Sequence, residues 1–338
     1  MKHYKSRILF IIKKRNDSYG PSFGLMNSCK FIANALNKQG INTKVVDVVD
    51  NNDIDREVTN YKPTHVFIEA LWVVPSKFEK LIPLHPHVQW YIRIHSKIPF
   101  IANEGMAIEW IRGYDALSKK YSQLHISANN LELLECLDQT FGIDGLYYPN
   151  IYCPDTYIHT PKMPKPHNVL NIGCFGVIRP MKNQLIQVLA AFAFGNQLGK
   201  KIRFHINADR IEQKGDVVLK NIINSLANTD HELVEHPWLS HDDFIRLVRT
   251  MDLGMQVSLS ETFNIVAADF VWNNIPLIGS SEIDWLSSLY MANVSDINSI
   301  VNKLYLAYYG RKVGLQNLNL WNLNDYNNEA LKVWLQQL

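Results

Sequence analysis

Residues 257–270 read Val-Ser-Leu-Ser-Glu-Thr-Phe-Asn-Ile-Val-Ala-Ala-Asp-Phe. This pattern predicts a strand end that delivers Glu261, a short turn, and a helix that carries Asp269. Two carboxylates then surround a helix N-terminus, where unpaired N–H groups and the helix dipole favour an anion. N–H groups for a phosphate and carboxylates for hydroxyls together suit a nucleotide-sugar. The same residues also fit a surface helix capped by Ser260 or Thr262. A second segment bears on the choice: Gly173-Cys-Phe-Gly176-Val-Ile-Arg179-Pro-Met-Lys182-Asn183-Gln184. Glycines after a strand let backbone approach a ligand, and Arg179 with Lys182 offers a planar fork and a point charge, a pair suited to a diphosphate. Read alone, this segment is also a solvated basic turn.

Other chemistry-bearing residues carry less. His95 follows a predicted strand and is either a site residue or a structural histidine. Trp238, after His236-Pro237, either stacks on a nucleobase or fills the core, and the core is the preferred reading. Asp53-Ile-Asp55 has the spacing of a metal-binding pair but sits among Asn and Asp residues, so a structural role in a polar loop is expected. His85-Pro-His87 lacks an accompanying Cys or carboxylate cluster. The four cysteines, Cys29, Cys136, Cys153 and Cys174, form no C-x-x-C pair, which points to reduced thiols and a reducing compartment. Lys2, Lys5, Arg7, Lys13, Lys14 and Arg15 bracket the apolar run Ile8–Ile12 and suggest a local basic patch, although the net charge is only +2.

The elements that must position these residues alternate. Strands are predicted at Arg7–Ile12, Thr43–Val49, Thr64–Glu69, Val88–Ile94 and Leu124–Ser127, with helices at Met26–Lys38, Ile101–Ile111 and Asn130–Leu137. From Tyr147 to His167 five prolines break the pattern, as an inter-domain linker does. A second alternation follows. Its strands are Val169–Phe175, Ile202–Asn207, Glu232–Glu235, Leu253–Leu259 and Ile275–Ile278. Its helices are Asn183–Phe194, Val217–Leu226 and Asp242–Thr250, the last opened by Ser240 and Asp243 in the manner of a capping box. A final helix is expected at Asn324–Gln336. With 338 residues, 47% hydrophobic and 20% charged, the chain supports two globular α/β domains rather than a disordered or fibrous protein. The expected division is 1–150, a linker at 151–168, a second domain at 169–320, and 321–338 as a helix returning to the first domain. The N-terminal apolar run is too short for a signal peptide or membrane span, so a cytoplasmic protein without an integral membrane segment is expected.

Residues 173–279 resemble the retaining GT-B-fold glycosyltransferases, the group that includes bacterial lipopolysaccharide glucosyl- and mannosyltransferases and virus-encoded members. The resemblance implies two Rossmann-like doubly wound domains facing a cleft. It assigns Arg179 and Lys182 to the donor diphosphate. It places Glu261 at the transferred sugar and Asp269 at the ribose, with seven residues between them, and puts Thr262, Phe263 and Asn264 in the same donor segment. Asp269 replaces the group's second Glu, and Asn264 stands where Gly is frequent; Asn tolerates unusual backbone angles. More weakly, Gly20-Pro-Ser-Phe-Gly24 resembles the group's glycine loop, and Tyr148-Pro149-Asn150-Ile151 the segment ending its first domain. His95 resembles a strand-end histidine on the reacting sugar, which makes His95 and Glu261 the catalytic candidates. No cofactor or catalytic metal is implied, and a nucleotide-sugar is the co-substrate. The implied acceptor is a glycan or lipid. A hydroxymethylated pyrimidine of viral DNA is the alternative, since the basic residues near the N-terminus can meet phosphates; the protein would then act in the host cytoplasm. A nucleotide-sugar epimerase or a non-catalytic sugar-nucleotide binder is the other class. Nucleotide, sugar, linkage and oligomeric state are not legible in the sequence.

Overall fold

The computed structural model describes residues 6–14, 23–154 and 167–338. The chain divides into two compact units, one of Met1–Asp155 with Tyr326–Leu338 and one of Thr156–Asp325.

The first unit runs β1 (Arg7–Lys13), α1 (Phe23–Lys38), β2 (Asn42–Val48), α2 (Asp53–Tyr61), β3 (His65–Glu69), α3 (Phe78–Leu84), β4 (Gln89–Ile94), α4 (Ile98–Ile101), α5 (Ala107–Lys120), β5 (Leu124–Ala128), α6 (Leu131–Phe141) and β6 (Leu146–Tyr147). The sheet order is β2-β1-β3-β4-β5-β6, parallel throughout. Ile8 to Ile12 are wholly buried, because alternate side chains enter opposite faces and both faces are covered. Leu9 and Ile11 join Ile54, Val58, Phe78, Trp90 and Tyr114 on one face. Ile8, Phe10 and Ile12 join Ile32 and Leu36 of α1 on the other, together with Ala330 and Trp334. Those last two belong to the chain's final helix, numbered α12 below.

The second unit runs β7 (Val169–Gly173), α7 (Gln184–Leu198), β8 (Lys201–Asn207), α8 (Gly215–Asn224), β9 (Glu232–His236), α9 (His241–Val248), β10 (Leu253–Gln256), α10 (Ile265–Trp272), β11 (Leu277–Gly279) and α11 (Ile297–Gly310); α12 (Asn317–Gln337) follows. The sheet is again parallel, in the order β11-β10-β7-β8-β9. The chain builds outward from β7 through β8 to β9, then crosses to lay β10 and β11 on the opposite side. Strand order therefore reverses between β7 and β10. In such sheets a crevice opens at that point beyond the carboxyl ends of the strands, where ligands bind. Among the described residues no helix is long and apolar enough to cross a membrane.

Several expectations need correction. Asp53 and Asp55 stand in the first turn of α2 rather than in a loop: Ile54 and Val58, one turn apart, are buried and draw the segment into a helix. The helix expected at Ile101–Ile111 is two helices, α4 and α5, separated at 102–106. β10 stops at Gln256, short of the predicted Leu259, and α12 starts at Asn317, seven residues before Asn324. Helices α2, α3 and α11 are not among the elements predicted from periodicity. Among the described residues, the basic side chains near the N-terminus do not form one patch. Arg7 and Lys13 sit at opposite ends of β1, roughly 20 Å apart at the usual strand rise. Arg7 is also turned onto the Tyr61 ring, 4.7 Å from its centroid. Lys2, Lys5 and Arg15 lie outside the described residues.

Candidate functional site

In the second unit, the loop after β7 is shaped by two glycines. A Cβ on Gly173 would stand 2.6 Å from the Phe175 ring and 2.8 Å from that of Phe270, so only glycine fits. Gly176 has φ +117, and its N–H donates to Asn207 Oδ1 at 3.0 Å. Between them Phe175 is buried as a wedge, stacked on Phe270 of α10 at 5.9 Å and edge-on to Phe244 of α9 at 5.2 Å. The chain then makes a short 3-10 turn at Pro180–Lys182 and passes through left-handed Asn183 into α7.

The loop after β10 is stapled to this one. Leu259 N–H donates to Met181 O at 2.9 Å, and Asn183 Nδ2 donates to Val257 O at 3.1 Å. Gln187 bridges them, accepting from Val257 N at 2.9 Å and donating to Lys182 O at 2.8 Å. The result is the ion pair Lys182 Nζ–Glu261 Oε1 at 2.5 Å, at the place where the strand order reverses. Arg179 lies in the same loop with NH1 3.7 Å from Glu212 Oε2, and Glu212 is shared with Arg210 at 2.9 Å. Two cations paired with carboxylates can exchange those partners for a bound anion.

The start of α10 differs from expectation. Asn264, at φ 59, is the cap: its Oδ1 accepts from Ala267 N at 2.9 Å, and its Nδ2 donates to Gln256 Oε1 at 2.9 Å. Neither Ser260 nor Thr262 fills that place. Phe263 is buried and its carbonyl accepts from Trp285 Nε1 at 2.8 Å, while Thr262 is half-buried. Asp269 is 1% exposed, and its Oδ1 accepts from His241 Nε2 at 2.8 Å. His241 was not a candidate on sequence grounds; its only signal is its place as first residue of the helix that Ser240 caps. Trp238 does not fill the core. It is half-buried, and the Arg210 guanidinium stands 4.8 Å over its ring.

In the first unit, the carboxyl ends of β3, β4 and β5 hold a buried polar network. Arg93 and Glu69 have no exposed side-chain surface and pair at 2.9 Å. His95 Nε2 is 2.5 Å from the same Glu69 oxygen, and Asn129 Nδ2 is 3.4 Å from His95 Nδ1. Arg93 also donates to Tyr148 O at 2.8 Å and to Asn150 Oδ1 at 2.5 Å. Its guanidinium lies 5.6 Å over the Trp334 ring of α12. Because Arg93 is donor only, the Glu69 carboxylate is the acceptor available to His95 Nε2, which must carry the proton. Burial and the neighbouring Arg93 hold the His95 pKa below its ordinary value. Burial raises the Glu69 carboxyl, but Arg93 and His95 outweigh it and hold the group below the usual range. The Cys29 thiol is pushed well up by burial and by Glu69. Directly after Glu69 the backbone turns left-handed at Ala70, φ 71.

Glu69 and Arg93, which hold His95, were not singled out from the sequence, although each is a charge within an apolar strand run, Val66-Phe67-Ile68-Glu69 and Trp90-Tyr91-Ile92-Arg93-Ile94. Gly24 lies in the first turn of α1, not in a loop, and Gly20 is outside the described residues. His85 pairs with Asp55 at 2.7 Å. Among the described residues no group of three or more His, Cys, Asp or Glu side chains is arranged to hold a metal ion, and all four cysteines are free.

No protein-family model and no curated protein matches the chain. Solved structures do match over nearly its whole length. An E. coli trehalose-6-phosphate protein bound with UDP-2-fluoro glucose shares 14% identity, TM-score 0.64, over 98% of both chains. Anabaena HepE, in complex with UDP and glucose, shares 12% identity, TM-score 0.62, over 98% of this chain and all of that one (100%). Sucrose-phosphate synthase from Thermosynechococcus elongatus shares 12% identity, TM-score 0.63, over 98% of both. The protein has the GT-B fold, an α/β architecture of two Rossmann-like doubly wound units.

Proposed function

We propose that this protein is a retaining glycosyltransferase that moves a sugar from a nucleotide-sugar donor to a hydroxyl of a glycan or lipid acceptor. The observation that carries the reading is the Lys182–Glu261 pair, 2.5 Å apart at the reversal point of the second sheet. It stands in a fold whose solved examples include proteins holding UDP-2-fluoro glucose and UDP with glucose. In this reading Arg179 and Lys182 exchange Glu212 and Glu261 for the donor diphosphate and stabilise the charge that develops as it departs. Glu261, released from Lys182, positions the sugar with Thr262 and Asn264 beside it, and Asp269 belongs to the ribose side. The first unit's own candidate is His95, a neutral imidazole held by Glu69 that can hydrogen-bond a sugar hydroxyl. A modified-DNA acceptor is not carried forward, because Arg7 and Lys13 lie at opposite ends of β1.

The test is nucleotide release and product analysis with the purified protein, a panel of nucleotide-sugars, and acceptor pools of glycans and lipids. Transfer with one donor, reduced at least ~100-fold in an Arg179→Ala, Glu261→Ala double variant, is expected. Undiminished turnover of that variant removes the site assignment. An isomerised donor in acceptor-free buffer replaces transfer with epimerisation, and binding without turnover reduces the protein to a binder.

A further inference from the structure

We infer that the corner where α11 turns into α12 is a docking surface for an anionic lipid bilayer. The inference goes beyond sugar transfer and does not depend on it. From Ile297 to Asn324 the sequence holds no Asp or Glu, while Lys303, Arg311 and Lys312 are cationic. The same stretch holds Tyr305, Tyr308, Tyr309 and Trp321. Among the described residues Val313 is the most exposed large apolar side chain, at 81%, and Trp321 follows at 62%.

The corner is built from the core outward. Phe194 of α7 has no exposed surface and takes Tyr305 and Tyr308 edge-on, with ring centroids at 5.0 and 5.9 Å. Tyr309, 49% exposed, packs against Tyr308 at 5.0 Å. Arg311 stands 4.6 Å over the Tyr308 ring, and Lys312 stands 5.4 Å over that of Tyr309. One turn into α12, Trp321 lies between buried Asn319 and Leu323 in sequence and so faces outward.

The backbone holds the tip in place. α11 ends at Gly310, where a Cβ would stand 2.9 Å from Leu315 Cδ2. Leu315 N–H returns to Gly310 O at 3.0 Å, so Arg311–Val313 form a 3-10 turn within a tight reversal. Arg311 also reaches Asp252, the residue before β10, at 3.6 Å. That contact puts the corner at the amino edge of the second sheet, away from the carboxyl edge that holds Lys182 and Glu261.

Cations after a helix C-terminus complement its dipole, and Asp252 partly neutralises Arg311. Those roles account for two charges but not for Val313, Tyr309 and Trp321 standing in water beside them. A bilayer surface accounts for both. Tyrosine and tryptophan favour the boundary between headgroups and acyl chains, and an exposed aliphatic tip gains by entering it. Lys and Arg at the same level meet anionic headgroups while their stems stay on apolar surface. A second copy of this chain is a poorer occupant. A twofold contact through this corner would set Arg311 and Lys312 against their own counterparts, with no carboxylate in the stretch to answer them.

Co-sedimentation of the full chain with vesicles tests the assignment, using phosphatidylcholine alone and an equal mixture of phosphatidylcholine and phosphatidylglycerol. Binding to the mixed vesicles is expected to be at least ~tenfold tighter and to weaken as salt rises. Val313→Asp and Lys312→Glu, both at exposed side chains, should each lower it roughly tenfold without moving the melting temperature. Leu84→Asp, at a comparably exposed apolar residue of the first unit (61%), should change nothing. Absence of binding to either vesicle, equal binding to both, or undiminished binding by the two corner variants overturns the inference. A loss in Leu84→Asp as large as at the corner does the same. So does a dimer in light scattering that Val313→Asp abolishes with no vesicle binding, which would give the corner to a second copy. None of these outcomes touches the transfer reading.

Discussion

Lys182 Nζ stands 2.5 Å from Glu261 Oε1, joining loops that leave the neighbouring strands β7 and β10. Each side chain neutralises the other while both are largely shielded from water, at 13% and 9% exposure. The two residues therefore compete for roles that a substrate must separate.

Their substitutions should consequently differ in kind. Lys182→Ala is expected to weaken nucleoside diphosphate binding by ~10–100-fold, the scale of a charge-assisted hydrogen bond. Glu261→Ala removes the competing anion and should leave diphosphate affinity equal or tighter while sugar transfer is lost. Calorimetry paired with turnover measurement separates the two. Equal loss of diphosphate affinity in both variants would falsify the exchange of partners.

Asn264 combines a left-handed backbone with a cap and a side-chain tie to Gln256. Asn264→Gly keeps the backbone but loses the cap, at about 1 kcal/mol or less. Asn264→Ala loses the cap and adds left-handed strain, each about 1–2 kcal/mol. Urea midpoints should fall in the order native, Gly, Ala. An Ala variant as stable as the Gly variant would show that φ 59 is not enforced.

Acid should destabilise the fold before the carboxylates titrate. Burial holds His65, His95, His125, His231 and His236 below their ordinary value of 6.5. The unfolded chain takes up protons at these residues near pH 6.5 while the native chain does not, so stability rises with pH in this window and is lost as pH falls from 6.5 toward the native values. Glu69 works in a lower window: its native pKa lies below 4.5, so its contribution is present above that value and disappears as pH falls through the native pKa. Melting temperature at constant ionic strength should drop between pH 7 and pH 5, and His95→Gln should flatten part of the slope. A melting temperature that stays level over that range would count against native neutral histidines.

Trp334 has no exposed surface, packs on Phe10, Phe67 and Tyr148 with ring centroids at 5.9, 5.0 and 4.6 Å, and donates to Pro149 O at 2.8 Å. Trp334→Ala should cost about 3–5 kcal/mol. The loss belongs to the first unit's unfolding transition and should also disturb His95, since Trp334 lies under Arg93. Urea unfolding followed by histidine NMR would detect both; an unchanged His95 signal in a destabilised variant would detach the helix from the polar network.

Legibility in the sequence followed physical locality. The Ile8–Ile12 run announces a strand buried on both faces because it is short, continuous and rich in β-branched residues. Arg179, Lys182 and Glu261 were legible as residue types, but the pairing of Lys182 with Glu261 spans 79 positions and depends on a strand order that no local pattern encodes. Glu69 and Arg93 form their pair across adjacent strands, 24 positions apart, and only their presence inside apolar runs marked them. At Asp53-Ile54-Asp55 the Asn- and Asp-rich composition spoke for a loop, whereas burial of Ile54 and Val58 decided for a helix. His241 and Asp269 lie on different helices, so their contact exists only once α9 and α10 are packed.

The returning helix has a consequence for the order of assembly. The second unit is one uninterrupted stretch, Thr156–Asp325, whereas the first needs Tyr326–Leu338 to cover Ile8, Phe10 and Phe67. On a chain synthesised from its N-terminus, domains generally mature in the order they emerge. Here the later stretch has all of its own residues before the earlier one does. The newborn first sheet therefore carries an uncovered aromatic face until Trp334 arrives, and that face is where a chaperone would hold the nascent protein or where two immature copies would stick.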